Sequence, residues 1–272
     1  MDHAVLGRHK KGRVVATKMR PVKGLDFVVG GIPRSGTTAF ADALNRHPDV
    51  FCYASETGLL PLAQQIGGHA RIPPGSIPMV RSFLREALFS AMVEMVEFNT
   101  AMGSPEPTVS FQKSEIDHFV SDILCALGTR GHTETLTEIA SATLARELRQ
   151  RSGKTFVGEK TPSNIFALDS NGDARFDAKG APPVFVVVRR PLPAILSMRA
   201  RLANKADVFA SAFSGDAAQQ AGLYLRYAFA CARLARRGAH LLRYEAFSGN
   251  ARGIMPKVLS AIGVSSDNRS IS

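Results

Sequence analysis

The run Gly31-Ile32-Pro33-Arg34-Ser35-Gly36-Thr37-Thr38 is the part of this sequence best equipped for chemistry. It follows a short apolar run, Phe27-Val28-Val29-Gly30, and precedes an amphipathic stretch, so its setting is strand–loop–helix. Two glycines five apart are followed by hydroxyl residues. A loop of that build aims successive backbone N–H groups at one point, and the N-terminus of the next helix adds positive potential. Such a loop holds an anion. Thr37 stands where nucleoside triphosphatases carry the lysine of Gly-Lys-Ser/Thr, so triphosphate and magnesium chemistry lose their main point charge. Arg34 supplies a cation from within the loop and can grip a phosphate or sulfonate through two N–H groups. The bland alternative is a glycine-rich strand–helix turn. The proline, arginine and paired threonines together argue against it.

The elements that must position this loop alternate between strand and helix. The spacing predicts a strand over about 26–30 and a helix over 36–46, with Phe40, Ala43 and Leu44 on one face, stopping ahead of Pro48. A second short strand is expected at 50–53. Apolar residues at helical spacing predict helices over about 79–102, 114–128 and 135–153, the last opened by a Thr135/Glu138 capping box. The middle third, about 79–153, is therefore a helical insertion. Strand-like 155–158 follows. Residues 165–182, with Asn171-Gly172, Gly180 and Pro182, are expected to be loop-rich. A strand over 183–188 leads to a helix over 192–203, opened by Pro191 and Pro193, where proline is tolerated. A long helix at 216–236, a strand at 239–243 and a helix at 251–262 complete the pattern. The fold class is α/β: a three-layer P-loop fold (NTPase-like) with a central parallel sheet covered on both faces.

A chain of 272 residues, 45% of them hydrophobic, can bury a sizeable core. Its longest apolar runs, such as 184–188, are far too short to span a bilayer, and the charged N-terminus does not read as a secretory signal. The net charge of +11 is unevenly spread. Residues 1–23 hold seven basic side chains against one acid, just over half of the excess. That segment reads as a basic tail (the alternative is an arm that docks on something acidic), and no nucleic-acid partner is expected. The expected division is tail 1–23, domain 24–264 and polar tail 265–272. Cys52, Cys125 and Cys231 form no disulfide framework or zinc spacing, so a reducing, cytoplasmic compartment is expected. The histidines are scattered, and no metal is indicated.

Pro33 to Thr38 resembles the 5′-phosphosulfate loop of the sulfotransferase superfamily. The following Leu44-Asn-Arg-His47-Pro48-Asp49-Val50 is similar to the same region of its tyrosylprotein and heparan sulfate branches. The resemblance, which runs from about 25 to 264, implies a sulfotransferase using 3′-phosphoadenosine 5′-phosphosulfate (PAPS) and releasing 3′-phosphoadenosine 5′-phosphate. That donor needs a second anion site. Arg189 leaves the C-terminal end of a predicted central strand, where open α/β sheets place ligands. Ser197 and Arg201 lie four apart on one face of the next helix. The Arg189–Ser197 spacing resembles the family's 3′-phosphate motif, and Arg201 a further contact of the tyrosylprotein branch. Arg190 reads as a solvated surface charge. Tyr244 resembles a tyrosine placed at the adenine, although an aromatic capping a strand end would look the same.

Sulfuryl transfer needs a base at the acceptor oxygen and cations on the transferring group. The resemblance assigns these to Glu56, which follows Arg34 by 22 residues, and to Lys160 in Gly158-Glu159-Lys160-Thr161-Pro162, with Arg34 assisting. Glu159 is the second candidate base, or a structural partner for an arginine. His47, before a proline, reads as structural. The binding set is thus Arg34, Ser35, Gly36, Thr37, Thr38, Arg189, Ser197, Arg201 and Tyr244. The acceptor class stays open between peptide tyrosine, carbohydrate and lipid, and a homodimer is compatible. Family members continue past the last helix into a segment over the donor. This chain stops at Ser272, so that contact set is expected to be missing or replaced by the basic arm. A non-catalytic nucleotide binder and a P-loop kinase-like phosphotransferase are the alternatives. The second would want lysine at position 37.

Overall fold

The computed structural model describes residues 24–67, 72–101, 107–130, 134–170, 172, 174–203 and 215–264. Both expected tails, 1–23 and 265–272, lie outside them, and with them the expectation about what stands over the loop at 31–38.

Five parallel strands, β1 (Phe27–Gly31), β2 (Val50–Tyr53), β3 (Phe156–Lys160), β4 (Val184–Val188) and β5 (His240–Arg243), form one sheet in the order β2-β3-β1-β4-β5. β1, which carries the loop, sits at the centre, where it needs apolar side chains on both faces. Phe27 and Val29 enter one core with Phe185 and Val187 of β4. Val28 enters the other with Val184 and Val186. This alternation follows from the two-residue period of a strand.

Helix α1 (Thr37–Asn45) and the C-terminal α10 (Tyr244–Gly249) and α11 (Ala251–Ile262) cover the first face. Phe40 of α1 packs at 5.6 Å, ring to ring, from both Phe185 and Phe247. Burying such a side chain stabilises the fold by roughly 1.5–3 kcal/mol. The opposite face is covered by α2 (Leu59–Gly67), α3 (Ile77–Phe89), α5 (Lys113–Arg130), α6 (Leu136–Ser152), α7 (Asn164–Asp169), α8 (Pro191–Ala203) and α9 (Ala217–Arg236), with α4 (Met95–Ala101) continuing from α3. Helices α2 to α6 thus lie between β2 and β3 in sequence.

Three local differences from the sequence expectations have physical reasons. The helix expected over 79–102 is interrupted by a π turn at Ser90–Glu94, through which Leu88, Met92 and Val93 all stay buried. Residues 165–182, expected to be loop-rich, take in all but the first residue of α7, a helix of six residues whose Ile165, Ala167 and Leu168 are buried. Helix α2, which the sequence expectations did not include, begins three residues after Glu56, with Leu59, Leu60, Leu62 and Ala63 buried. Tyr244 directly follows β5, as expected, and also opens the short α10. The capping box at Thr135 and Glu138 forms, with the Glu138 N–H donating to Thr135 Oγ1 at 3.2 Å.

Candidate active site

The loop at 31–38 leaves the C-terminal end of β1 and turns into α1. Gly36 is the N-cap of α1, with φ 88°, and provides no side chain to cap the helix. The first-turn N–H groups of a helix have no intrahelical partner, so they are left to face a ligand. Gly36 is also the only residue type that fits here: a Cβ would lie 2.2 Å from the Tyr244 ring. Ser35 is buried, and both its polar groups are spent on the fold. Its hydroxyl donates to the Val187 carbonyl at 2.8 Å and its N–H to that of Ile32 at 3.1 Å.

The second cluster comes to the same place. Arg189, just past β4, donates from Nη1 to the Arg34 carbonyl at 3.2 Å, and its guanidinium lies 4.7 Å over the Tyr244 ring. Arg34 Nε donates to Ser197 Oγ on α8 at 3.0 Å. The Tyr224 hydroxyl of α9 donates to the Arg189 carbonyl at 2.7 Å, fixing where that side chain departs. Arg190 points away, exposed, with its N–H on Glu245 Oε1 at 2.9 Å.

One cavity of about 370 Å³ collects these groups. Arg34, Gly36, Thr37, Thr38, Glu56, Arg189, Ser197, Arg201 and Tyr244 all line it. Among the predicted residues, Ser35 and Lys160 are not part of its wall. Lys160 ends β3, one strand over from the root of the loop, level with Val29. It is 1% exposed, and its Nζ donates to Glu56 Oε1 at 2.7 Å. The pair therefore presents its carboxylate to the cavity and keeps its ammonium behind it.

Arg34 (φ 64°) and Glu56 (φ 56°) are the non-glycine residues with left-handed backbone among those described. Each such residue costs on the order of 1–3 kcal/mol and persists only where its surroundings over-determine it. Both line the cavity.

Glu159 is fully buried and faces Thr161 and Asn164, not an arginine. Its Oε2 accepts from Thr161 Oγ1 at 3.0 Å and its Oε1 from Asn164 Nδ2 at 2.6 Å. Burial pushes its carboxyl up from the ordinary 4.5 to about 7, against the pull of those two hydrogen bonds. Between those values the folded chain holds a proton that the unfolded chain has released. The stabilisation is complete below pH ~4.5 and is lost as pH rises through about 7. Denaturant unfolding across that window is expected to show falling stability, and Glu159→Gln to flatten the slope.

The sequence reading assigned no part in the site to four further lining residues. Pro162, Ser163, Leu223 and Tyr227 line it. Burial, with the Glu56 carboxylate adding to it, pushes the Tyr227 hydroxyl up to about 12, so it stays neutral. Leu223 and Tyr227 are four apart on α9, which is a signal of a shared face but not of a site.

A central β1 with a glycine-bearing loop at its C-terminal end, and arginines after the neighbouring strand, give an α/β protein with a P-loop-like fold and a basic cavity at the edge where open sheets place ligands. The chain belongs to the sulfotransferase family, whose sequence pattern matches residues 26–268. No curated protein matches it. Solved structures that resemble it include the sulfotransferase domain from the Synechococcus PCC 7002 olefin synthase. The TM-score there is 0.46 at 15% identity, over 93% of this chain and 77% of that one. A sulfotransferase from Alicyclobacillus acidocaldarius gives 0.46 at 12% identity, over 92% and 87%. The sulfotransferase domain from the curacin biosynthetic pathway gives 0.48 at 12% identity, over 92% and 77%. Among the described residues, no helix is long and apolar enough to cross a membrane.

Proposed function

We propose that the chain moves the sulfuryl group of PAPS to a hydroxyl or amine acceptor. The observation that carries this reading is the meeting, in one cavity, of the anion loop, the Arg189–Ser197–Arg201 cluster and the Glu56 carboxylate backed by Lys160. The residues suit the donor: Gly36, which packs against the Tyr244 ring where no side chain fits, leaves the start of α1 uncapped, and an uncapped helix start attracts an anion. The backbone of Gly36 to Thr38 and Arg34 take the 5′ end, and Arg189, Ser197 and Arg201 take the 3′-phosphate. Tyr244, already covered by Arg189, takes the adenine. When bound, the donor supplies an activated sulfuryl group on a phosphate leaving group.

Glu56 accepts the acceptor's proton as its oxygen attacks in line. Lys160 holds the Glu56 carboxylate by a hydrogen bond in the resting site and turns its ammonium to the charge that builds on the leaving side. Arg34, rooted between Arg189 and Ser197, offers a planar cation to the transferring group. Leu223, Tyr227 and Pro162 give the cavity a neutral stretch of wall beside the charged groups. Three free cysteines, two of them buried, support a reducing compartment.

Adding 3′-phosphoadenosine 5′-phosphate is expected to raise the melting temperature. At 100 times Kd the gain is about 2.7 kcal/mol, or roughly 5–10 °C for a domain of this size. No shift at millimolar ligand would sink the donor assignment. Labelled sulfuryl transfer from PAPS to a panel of tyrosine peptides, carbohydrates and lipid alcohols then separates enzyme from binder: a shift without transfer to any member favours a non-catalytic nucleotide-binding protein.

A further inference from the structure

The strained conformation of Glu56 needs a brace, and the chain provides one from a segment that the mechanism above does not use. The Gly58 N–H, two residues after Glu56, donates to Thr161 Oγ1 at 3.1 Å, across 103 positions of sequence. The Thr161 hydroxyl spends its own proton on Glu159 Oε2. A hydroxyl has one donor and two lone pairs, so committing the proton to Glu159 leaves a lone pair for Gly58. Thr161 is 4% exposed and Glu159 and Asn164 are 0% exposed, so bulk water does not stand in for these bonds.

The same stretch grips the root of the anion loop. The Thr161 N–H donates to the Val29 carbonyl at 3.2 Å, Asn164 Nδ2 reaches that carbonyl at 3.2 Å, and the Gly31 N–H donates to the Pro162 carbonyl at 3.2 Å. Residues 159–164 therefore hold two separate loops at once. The loop at 31–38 is held by backbone and amide groups. The loop that carries Glu56 is held by one side-chain hydroxyl, together with Lys160.

We propose that Thr161 is a positioning residue: through the Gly58 N–H its hydroxyl sets where Glu56 stands relative to the donor loop, and Glu159 and Asn164 keep that hydroxyl turned the right way. The proposal deepens the function above and rests on Glu56 being the base. Thr161 touches neither donor nor acceptor. It acts on rate by aiming a carboxylate, and misplacement of a reacting group by about 1 Å can cost on the order of 100-fold.

The experiment uses the full chain, the best acceptor of the panel and PAPS. Thr161→Val keeps the volume and removes the hydroxyl. It is expected to lower kcat roughly 10- to 100-fold while the donor KM and the affinity for 3′-phosphoadenosine 5′-phosphate stay at the parental values. Thr161→Ser restores most of kcat. In a Glu56→Gln background, Thr161→Val costs little more, because the group it aims is gone. Amide hydrogen exchange over 54–58 reads the clamp without an acceptor, and Thr161→Val is expected to speed it. Thr161→Ala makes the same deletion if the valine variant does not fold. Parental kcat in both hydroxyl-less variants, unchanged exchange, or an undiminished loss in the Glu56→Gln background each overturn the proposal. Full turnover by Glu56→Gln alone overturns the base assignment and this proposal with it. A dead Glu56→Gln beside an unaffected Thr161→Val overturns this proposal alone.

Discussion

Glu56→Gln is expected to lower turnover by about 10²–10⁴-fold, the usual contribution of a positioned general base. The affinity for 3′-phosphoadenosine 5′-phosphate should survive. Glutamine is the informative replacement because its amide oxygen can still accept from Lys160 Nζ, which lies 2.7 Å from Glu56 Oε1 and is itself buried. Both replacements remove the counter-charge, but alanine also leaves the buried ammonium without that acceptor, and the added loss of stability would confound the rate. Steady-state kinetics with calorimetry of the nucleotide product checks the split. Glutamine activity close to the parent would remove Glu56 from the mechanism. Loss of nucleotide affinity along with rate would show that the carboxylate shapes the donor site instead.

The loop at 31–38 and Arg189 were legible in the sequence because they leave the C-terminal ends of strands, whereas Glu56 and Tyr244 were named from the family resemblance. The loop at 31–38 follows β1, Glu56 follows β2 and Arg189 follows β4. A parallel sheet brings such ends to one edge whatever the intervening chain does. Ser197 and Arg201 followed from helical spacing, once α8 was placed after Arg189. What could not be read were contacts that depend on how helices settle on the sheet. Tyr227 and Leu223 reach the cavity from α9 only because α9 packs over β4 and β1, and nothing in their neighbourhood resembles a motif. The Thr161–Gly58 bond is hidden for the same reason: it joins two loops that only the pairing of β2 with β3 brings together. Helix α7 was obscured by the glycines and prolines after it, although its Ile165 and Leu168 sit one turn apart and both are buried. Ser35 shows the opposite failure. It lies in the motif, yet its hydroxyl holds the loop to β4.

Arg189→Ala is expected to weaken 3′-phosphoadenosine 5′-phosphate binding roughly 10- to 100-fold, from one lost charge-assisted contact worth on the order of 1.5–3 kcal/mol. The effect should sit at the upper end, because Arg189 also holds two things in place. Its Nη1 bonds the Arg34 carbonyl, which braces a residue at φ 64°. Its plane covers the Tyr244 ring, and that ring in turn closes against Gly36. Its side chain lines the same cavity as Ser197 and Arg201. Arg189→Lys separates charge from shape. A lysine restores the positive point charge but neither the planar stacking nor the fork of donors, so it should recover only part of the affinity. Its salt dependence should stay close to the parent's, while that of the alanine variant falls. Calorimetry at two ionic strengths decides the matter. If lysine recovered all of the affinity, Arg189 would be a charge and nothing more; if alanine cost nothing, the second phosphate would have to bind elsewhere and the two-anion site would be wrong. Arg190→Ala is the control on the same turn of chain. Its side chain is exposed and paired with Glu245, outside the donor cavity, and its removal should leave nucleotide affinity where it was.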